Sequence, residues 1–200
     1  MSDTEISSRG RGRPRAFDIE QATQKAQALF HEHGYDAVSV AALSEALGIN
    51  PPSFYAAFGS KAGLFDRVLR RYAESALPLD DILAPGRPIA RALGELLETA
   101  ARIYAADPAA PGCLVLEAAR AGPAGGCRNA ALPYRSAARS KVRAFIAAGH
   151  PHIADTLADY VDVTMSGLSA SARERWSVDR LVAVARTAAL AIPPALAADA

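Results

Sequence analysis

The sequence predicts an all-α protein of about nine helices. Three observations carry that reading. Hydrophobic residues make up 50 % of the 200-residue chain but aromatics only 6 %, so Ala and Leu must supply most of the core, and Ala is the best helix former. Apolar residues recur at helical spacing in one segment after another, and no run alternates β-branched with polar residues. The residues between segments are those that start and stop helices: Asp, Ser or Asn before them and Gly after.

Taken in order, the chain opens with a basic stretch. Arg9, Arg11, Arg13 and Arg15 alternate with Gly10, Gly12 and Pro14, with no acid among them. Gly and Pro oppose a packed conformation, so residues 1–16 read as a disordered basic arm. The first helix starts after Asp18, with Gln21 completing a capping box and Phe17 as a staple. Ala22, Ala26, Leu29 and Phe30 form its inner stripe, and Gly34 stops it. His31 and His33 near its end suit the negative pole of the helix. With no Cys or carboxylate cluster nearby they do not make a metal site.

Ser39 to Lys61 is the most informative stretch. Ser39 is an N-cap, and Val40, Leu43 and Leu47 follow on one helical stripe. Gly48 leaves that helix through a left-handed conformation, and Ile49 plugs the turn. Asn50 caps a second helix, and Pro51 suits its first position, where a missing N–H costs nothing. Phe54 and Phe58 face inward, leaving Ser53, Tyr55 and Ala56 on other faces. Gly59 ends this helix and Ser60 caps the next. That order of cap, stripe, Gly, plug, cap and Pro is a helix-turn-helix, whose second helix enters the major groove of DNA.

These residues resemble the N-terminal domain of the TetR family of bacterial transcriptional regulators. The resemblance runs from Phe17 to Tyr72 and rests on Ala26, Leu29, Phe30, Gly34-Tyr35, Val40, Leu43, Leu47-Gly48-Ile49, Ser53-Phe54-Tyr55, Phe58 and Ser60-Lys61. Val38 departs from the family's usual Thr. The resemblance implies a three-helix DNA-binding domain followed by a helical domain that binds a small effector and dimerises through its last two long helices. It also implies phosphate contacts from Tyr55 and Lys61. Asn50, Pro51, Pro52 and Ser53 lead the recognition helix toward the bases, and Ser39 caps the preceding helix near the backbone. The recognition helix has no Lys or Arg, so bidentate readout of guanine is closed to it. The arm arginines and DNA shape are expected to carry more of the recognition.

The fourth helix should run from Ser60 to about Leu77, apolar along Leu64, Phe65, Val68, Leu69 and Tyr72. Pro78, Pro85 and Pro88 then place a boundary, giving a DNA-binding domain over 17–77 and a ligand-binding and dimerisation domain over 78–200. Helices are expected over Ile89–Ala106, Cys113–Ala121, Asn129–Ala148 with Pro133 in its first turn, His152–Ser169, and Val178–Ile192 ended by Pro193-Pro194. Small residues, among them Gly167, Ala170, Ala183, Ala185, Ala188 and Ala189, suit a close helical seam between copies. Arg135, Arg139 and Arg143 share one helical face and Asp155, Asp159 and Asp162 the next. An antiparallel pair turning at Gly149–Pro151 would match them; a contact across the dimer or an anionic effector would use them differently.

Candidate effector contacts are Tyr104, Leu114, Tyr134, Phe145 and Trp176, apolar or aromatic groups of the kind that line ligand pockets. Cys113 and Cys127 are too few for a disulfide framework. A redox sensor would need one of them exposed and acidic. No cofactor is expected, and no Ser-His-Asp spacing, phosphate loop or metal motif supports an enzyme. No apolar run is expected to reach the ~18 residues of a membrane span. The basic N-terminus is not a signal peptide, which fits a cytoplasmic protein. The function these features favour is a homodimeric repressor on a pseudo-palindromic double-stranded DNA operator, released by a small molecule. An activator, or a regulator without an effector, would carry the same motifs.

Overall fold

The computed structural model describes residues 17–121 and 126–198. These form helices α1 (Ile19–His33), α2 (Val40–Leu47), α3 (Pro51–Phe58), α4 (Lys61–Ser75), α5 (Leu79–Ile82), α6 (Ile89–Ala106), α7 (Leu114–Arg120), α8 (Gly126–Ala147), α9 (Ala154–Arg173), α10 (Val178–Ala189) and α11 (Ile192–Ala197). Nine of them have seven residues or more; α5 and α11 have four and six. No strand occurs among the described residues.

The first four helices start where their caps dictate. Asp18 accepts from Glu20 N–H at 2.9 Å and Gln21 N–H at 3.1 Å. Ser39, Asn50 and Ser60 accept from the N–H three residues on, at 3.1, 2.9 and 3.0 Å. Gly48 is left-handed (φ 68°, ψ 33°), and it and Ile49 donate back to Glu45 and Ser44 carbonyls, closing α2. The stripes meet in a core of Phe30, Leu43, Phe54, Leu64 and Phe65, all buried. Phe30 and Phe65 meet edge to face at 4.9 Å.

That core continues without a break into the C-terminal helices. α6 is central, burying Leu93, Leu96, Leu97, Ala100 and Tyr104 against α9 and α10. α8 and α9 pack antiparallel and bring the two charged faces together. Arg135 grips Asp162 with Nε at 3.2 Å and Nη2 at 2.6 Å, Arg139 meets Asp159 at 2.5 Å, and Arg143 meets Asp155 at 2.7 Å. The intramolecular match is the one the structure adopts. Asp155 and Asp159 are held below the ordinary carboxylate range, first by hydrogen bonds from Arg143 and Arg139 respectively.

Several boundaries differ from expectation. α8 begins at Gly126, so Pro133 sits in its interior rather than its first turn. Position 133 therefore lacks the N–H that would bond the Asn129 carbonyl. α9 runs from Ala154 to Arg173, ending four residues beyond Ser169. α10 stops at Ala189, and Pro193-Pro194 start α11 instead of ending α10, because the first turn of a helix needs no N–H from them. α5 was hidden by the prolines around it. The stretch Val178–Ala197 is long and apolar enough to span a bilayer, with mean hydropathy 1.3, contrary to expectation. It is split between α10 and α11, and Leu181, Val182 and Ala185 of α10 are buried.

Candidate nucleic-acid interface and the cavity behind it

α3 is short and one-sided. Phe54 and Phe58 are buried, and at 3.6 residues per turn the opposite side presents Pro52 and Ala56, flanked by Ser53 and Tyr55. Pro51, Pro52, Ser53, Tyr55 and Ala56 are all exposed, as are Ser39 and Asn50. The surface is small and nearly uncharged. It fits the thymine methyl and the groove floor better than the guanine edge. Tyr55 is 52 % exposed, an aromatic held in water with its ring edge-on to Phe54 at 5.7 Å.

Around α3 stand two helix starts. The N-termini of α2 and α4 carry free N–H groups and the positive end of the helix dipole, which suits phosphate, whereas α3 starts with two prolines and its Ser53 N–H is taken by Asn50. Lys61 opens α4, and its Nζ lies 4.1 Å from the centroid of the Tyr35 ring. That cation–π contact positions the ammonium beside the turn while leaving it partly accessible. Arg9, Arg11, Arg13 and Arg15 lie outside the described residues.

Sequence reasoning missed Gly63. A Cβ there would lie 2.3 Å from the Phe58 carbonyl oxygen, so only Gly lets α4 pass this close to the end of α3. A Gly in the first turn of a helix that costs it stability was the available signal. It missed the joint between the two halves as well. His31 Nε2 donates to the Gly112 carbonyl at 3.2 Å, and its ring meets Tyr72 edge-on at 5.5 Å. Arg173 Nη1 reaches the His31 carbonyl at 3.2 Å. Burial pushes the His31 imidazole below its ordinary pKa, with the Gly112 hydrogen bond opposing and the Arg173 cation adding to the fall. Gly112 (φ +81°) is fixed as Gly twice over, because a Cβ would also meet the Ser169 carbonyl oxygen at 2.9 Å. The next residue, Cys113, donates its N–H to Ser169 Oγ at 2.8 Å, and that hydroxyl donates to Glu117 at 2.6 Å. Among the described residues no group of three or more His, Cys, Asp or Glu side chains could hold a metal.

Behind this joint lies a cavity of about 90 Å³ between α4, α6, α7, α8 and α9. Of the five candidate effector contacts, Tyr104 and Tyr134 line it. Tyr134 donates to Asp66 at 3.2 Å, tying α8 to α4. Leu114 lines a different cleft under α1, with Phe30, His31 and Tyr35. Phe145 is half-buried against the core, and Trp176 lies under the Arg180 guanidinium at 3.2 Å. Those three are outside the cavity, because helical periodicity cannot tell a core side from a cavity side. Cys113 lines the cavity, and burial pushes its thiol up, opposite to what a redox sensor needs. Cys127 is buried too.

Comparison with known proteins agrees with this geometry. Residues 23–68 match the family described as bacterial regulatory proteins, tetR family. The chain is 48 % identical over 190 residues to the HTH-type transcriptional repressor BdcR of Escherichia coli (strain K12), covering 94 % of this chain and 96 % of that one. It is 32 % identical to the HTH-type transcriptional repressor ComR of the same organism, over 92 % of this chain and 93 % of that one. Among solved structures, a cysteine mutant of the TetR family regulator CifR complexed with 26-base-pair operator DNA superimposes with a TM-score of 0.79. It is 36 % identical and covers 90 % of this chain and 100 % of that one. The capped α2–α3 unit, the fold and these full-length relatives lead to one conclusion: the chain belongs to the TetR family of bacterial transcriptional regulators.

Proposed function

We propose that this protein is a homodimeric transcriptional repressor that binds a pseudo-palindromic DNA operator and leaves it when a small molecule enters the cavity. The observation that carries the reading is α3 itself, capped by Asn50, exposed on its outer side and framed by the starts of α2 and α4. Two relatives named as repressors and a neighbour complexed with operator DNA support it. The roles divide at residue 77: residues 17–77 read DNA, and 78–200 hold the ligand and the second copy. Tyr55, Lys61 and the starts of α2 and α4 grip phosphates, Pro52, Ser53 and Ala56 face the bases, and Arg9, Arg11, Arg13 and Arg15 reach the minor groove. α9 and α10 form the seam between copies, supported by Val163, Val184 and Leu190, which stand 67, 43 and 74 % exposed. Two-fold symmetry sets the two α3 helices about one turn of DNA apart. The place of such a repressor is with the DNA in the cytoplasm.

The test is a gel-shift titration against the DNA upstream of the protein's own gene at two salt concentrations, with Tyr55→Ala/Lys61→Ala in parallel. Tight binding that weakens with salt and is lost in the variant supports the reading. Salt-independent binding, or full binding by the variant, counts against it.

A further inference from the structure

The outer side of α3 has a short chemical inventory. Phe54 and Phe58 are buried, and a helix turns by about 100° per residue, so Pro52 and Ala56 form its outermost line. Ser53 stands to one side of that line and Tyr55 to the other, and all four residues are exposed. No Lys, Arg, Asn, Gln, Asp or Glu occurs between Pro51 and Phe58. Pro51 and Pro52 have no N–H to give, and the Ser53 N–H is taken by Asn50. The side-chain hydrogen-bonding groups of α3 are therefore two hydroxyls, those of Ser53 and Tyr55.

Base edges differ in what they demand of a protein. Guanine is read by a bidentate Arg or Lys, adenine by Asn or Gln, and cytosine by Asp or Glu. α3 has none of these. Thymine alone offers an apolar group in the major groove, its C5 methyl. Pro52 and Ala56 suit such a group, being small and apolar with no polar atom in the side chain to desolvate. They stand four residues and so about 6 Å apart along the helix, one to two base-pair steps at about 3.4 Å each. The Ser53 hydroxyl donates or accepts and so tells no base from another. Lys61 and the starts of α2 and α4 suit phosphate, which carries no sequence information.

We infer that the Pro52–Ala56 ridge is the direct-readout element of the protein, and that it reads two thymine methyl groups lying within one or two base pairs of each other in each operator half-site. This names the base class for the DNA-reading role of α3 proposed above and rests on that role.

The test selects an operator from a pool of random duplexes with the full chain. Fluorescence anisotropy then reads affinity as each thymine is replaced by deoxyuridine, which deletes the methyl and keeps the base pair. The expected result is about fourfold weaker binding at each of two thymines of a half-site, the value of one buried methyl, and no change at the others. Where such a T·A pair is changed to C·G, 5-methylcytosine should bind about fourfold tighter than cytosine, because it restores the methyl without the thymine. Pro52→Ala should reduce the deoxyuridine penalty at one of the two positions and Ala56→Gly at the other, with the salt slope of the wild type. The readout is the ratio of affinities with and without the methyl, which a change in helix stability leaves alone. Deoxyuridine without effect at every thymine overturns the inference; if A·T pairs are still preferred, the reading is from the minor groove, where the methyl is absent. So do half-sites fixed by G·C pairs, 5-methylcytosine no better than cytosine, or penalties unchanged in both variants. If no duplex is enriched, reading of DNA by sequence fails as well. If one is enriched and the thymine tests fail, that role stands and the ridge alone is overturned.

Discussion

The N-terminal and C-terminal helices are held in different ways. α1, α2, α3 and α4 each begin with a side-chain cap reaching two or three residues along the chain. α6, α7 and α9 begin with no side-chain cap hydrogen bond. Their ties run across the chain instead: Cys113 to Ser169 over 56 positions, Arg135 to Asp162 over 27, and Arg173 to His31 over 142. A module stabilised by its own nearest neighbours keeps its shape when moved. One stabilised by distant partners changes shape when any partner is displaced. The N-terminal half is mainly of the first kind, with Arg71 to Glu20 and Gln27 as its long-range ties, and the cavity-bearing half mainly of the second, with Ser177 capping α10.

The largest effect should come from breaking the first kind at its tightest point. Gly63→Ala forces α3 away from α4 and is expected to cost about 1–3 kcal/mol of stability, with at least about tenfold weaker operator binding. Thermal unfolding and fluorescence anisotropy on labelled DNA would measure the two. An affinity that stays at the wild-type level would show that α3 can shift without harm. Asp162→Asn attacks the second kind. It leaves Arg135 half-paired in a part-buried setting and should cost about 1 kcal/mol in urea unfolding, with little change in the intrinsic affinity of α3 for DNA.

Asn50→Ala removes one cap and should cost about 1 kcal/mol. Its signature sharpens the comparison: hydrogen exchange should quicken in α3 and remain unchanged in α6 and α9. Uniform quickening would mean the two halves unfold as one. The smallest effect is on pH dependence. His31 has a depressed pKa in the folded protein, so the unfolded chain binds its proton first as pH falls below the ordinary 6.5. The stability from the neutral His31 is therefore present above that pH and lost as pH falls through the folded value. His31→Leu should flatten this part of the profile. The Asp155 and Asp159 pairs weaken only below the ordinary 3.8, which separates the two windows.

The same division explains what was legible in the sequence. Asp18, Ser39, Asn50 and Ser60 could be read as caps because a cap and its targets lie within one turn. The charged faces of α8 and α9 were legible because spacing by four is local and one short turn joins the helices. Gly112 could be read only as a break, because its reasons are Ser169 and His31, far away in the chain. Leu114, Phe145 and Trp176 were indistinguishable from Tyr104 in composition, and only packing separates them. Pro133 and Pro193-Pro194 misled because proline marks the first turn of one helix as readily as the end of another.

The ladder of Arg135, Arg139 and Arg143 against Asp162, Asp159 and Asp155 acts as a ruler between two helices. Sliding α9 by one turn toward either end would still pair two rungs but strand one cation and one anion at opposite ends of the ladder. Each rung is worth only about 0–1 kcal/mol, yet the misfit grows with every turn of slip. The connection at 148–153 is free to change length over generations, because it does not set the alignment. The stretches 135–143 and 155–162 cannot gain or lose a single residue without rotating the remaining rungs off their shared face.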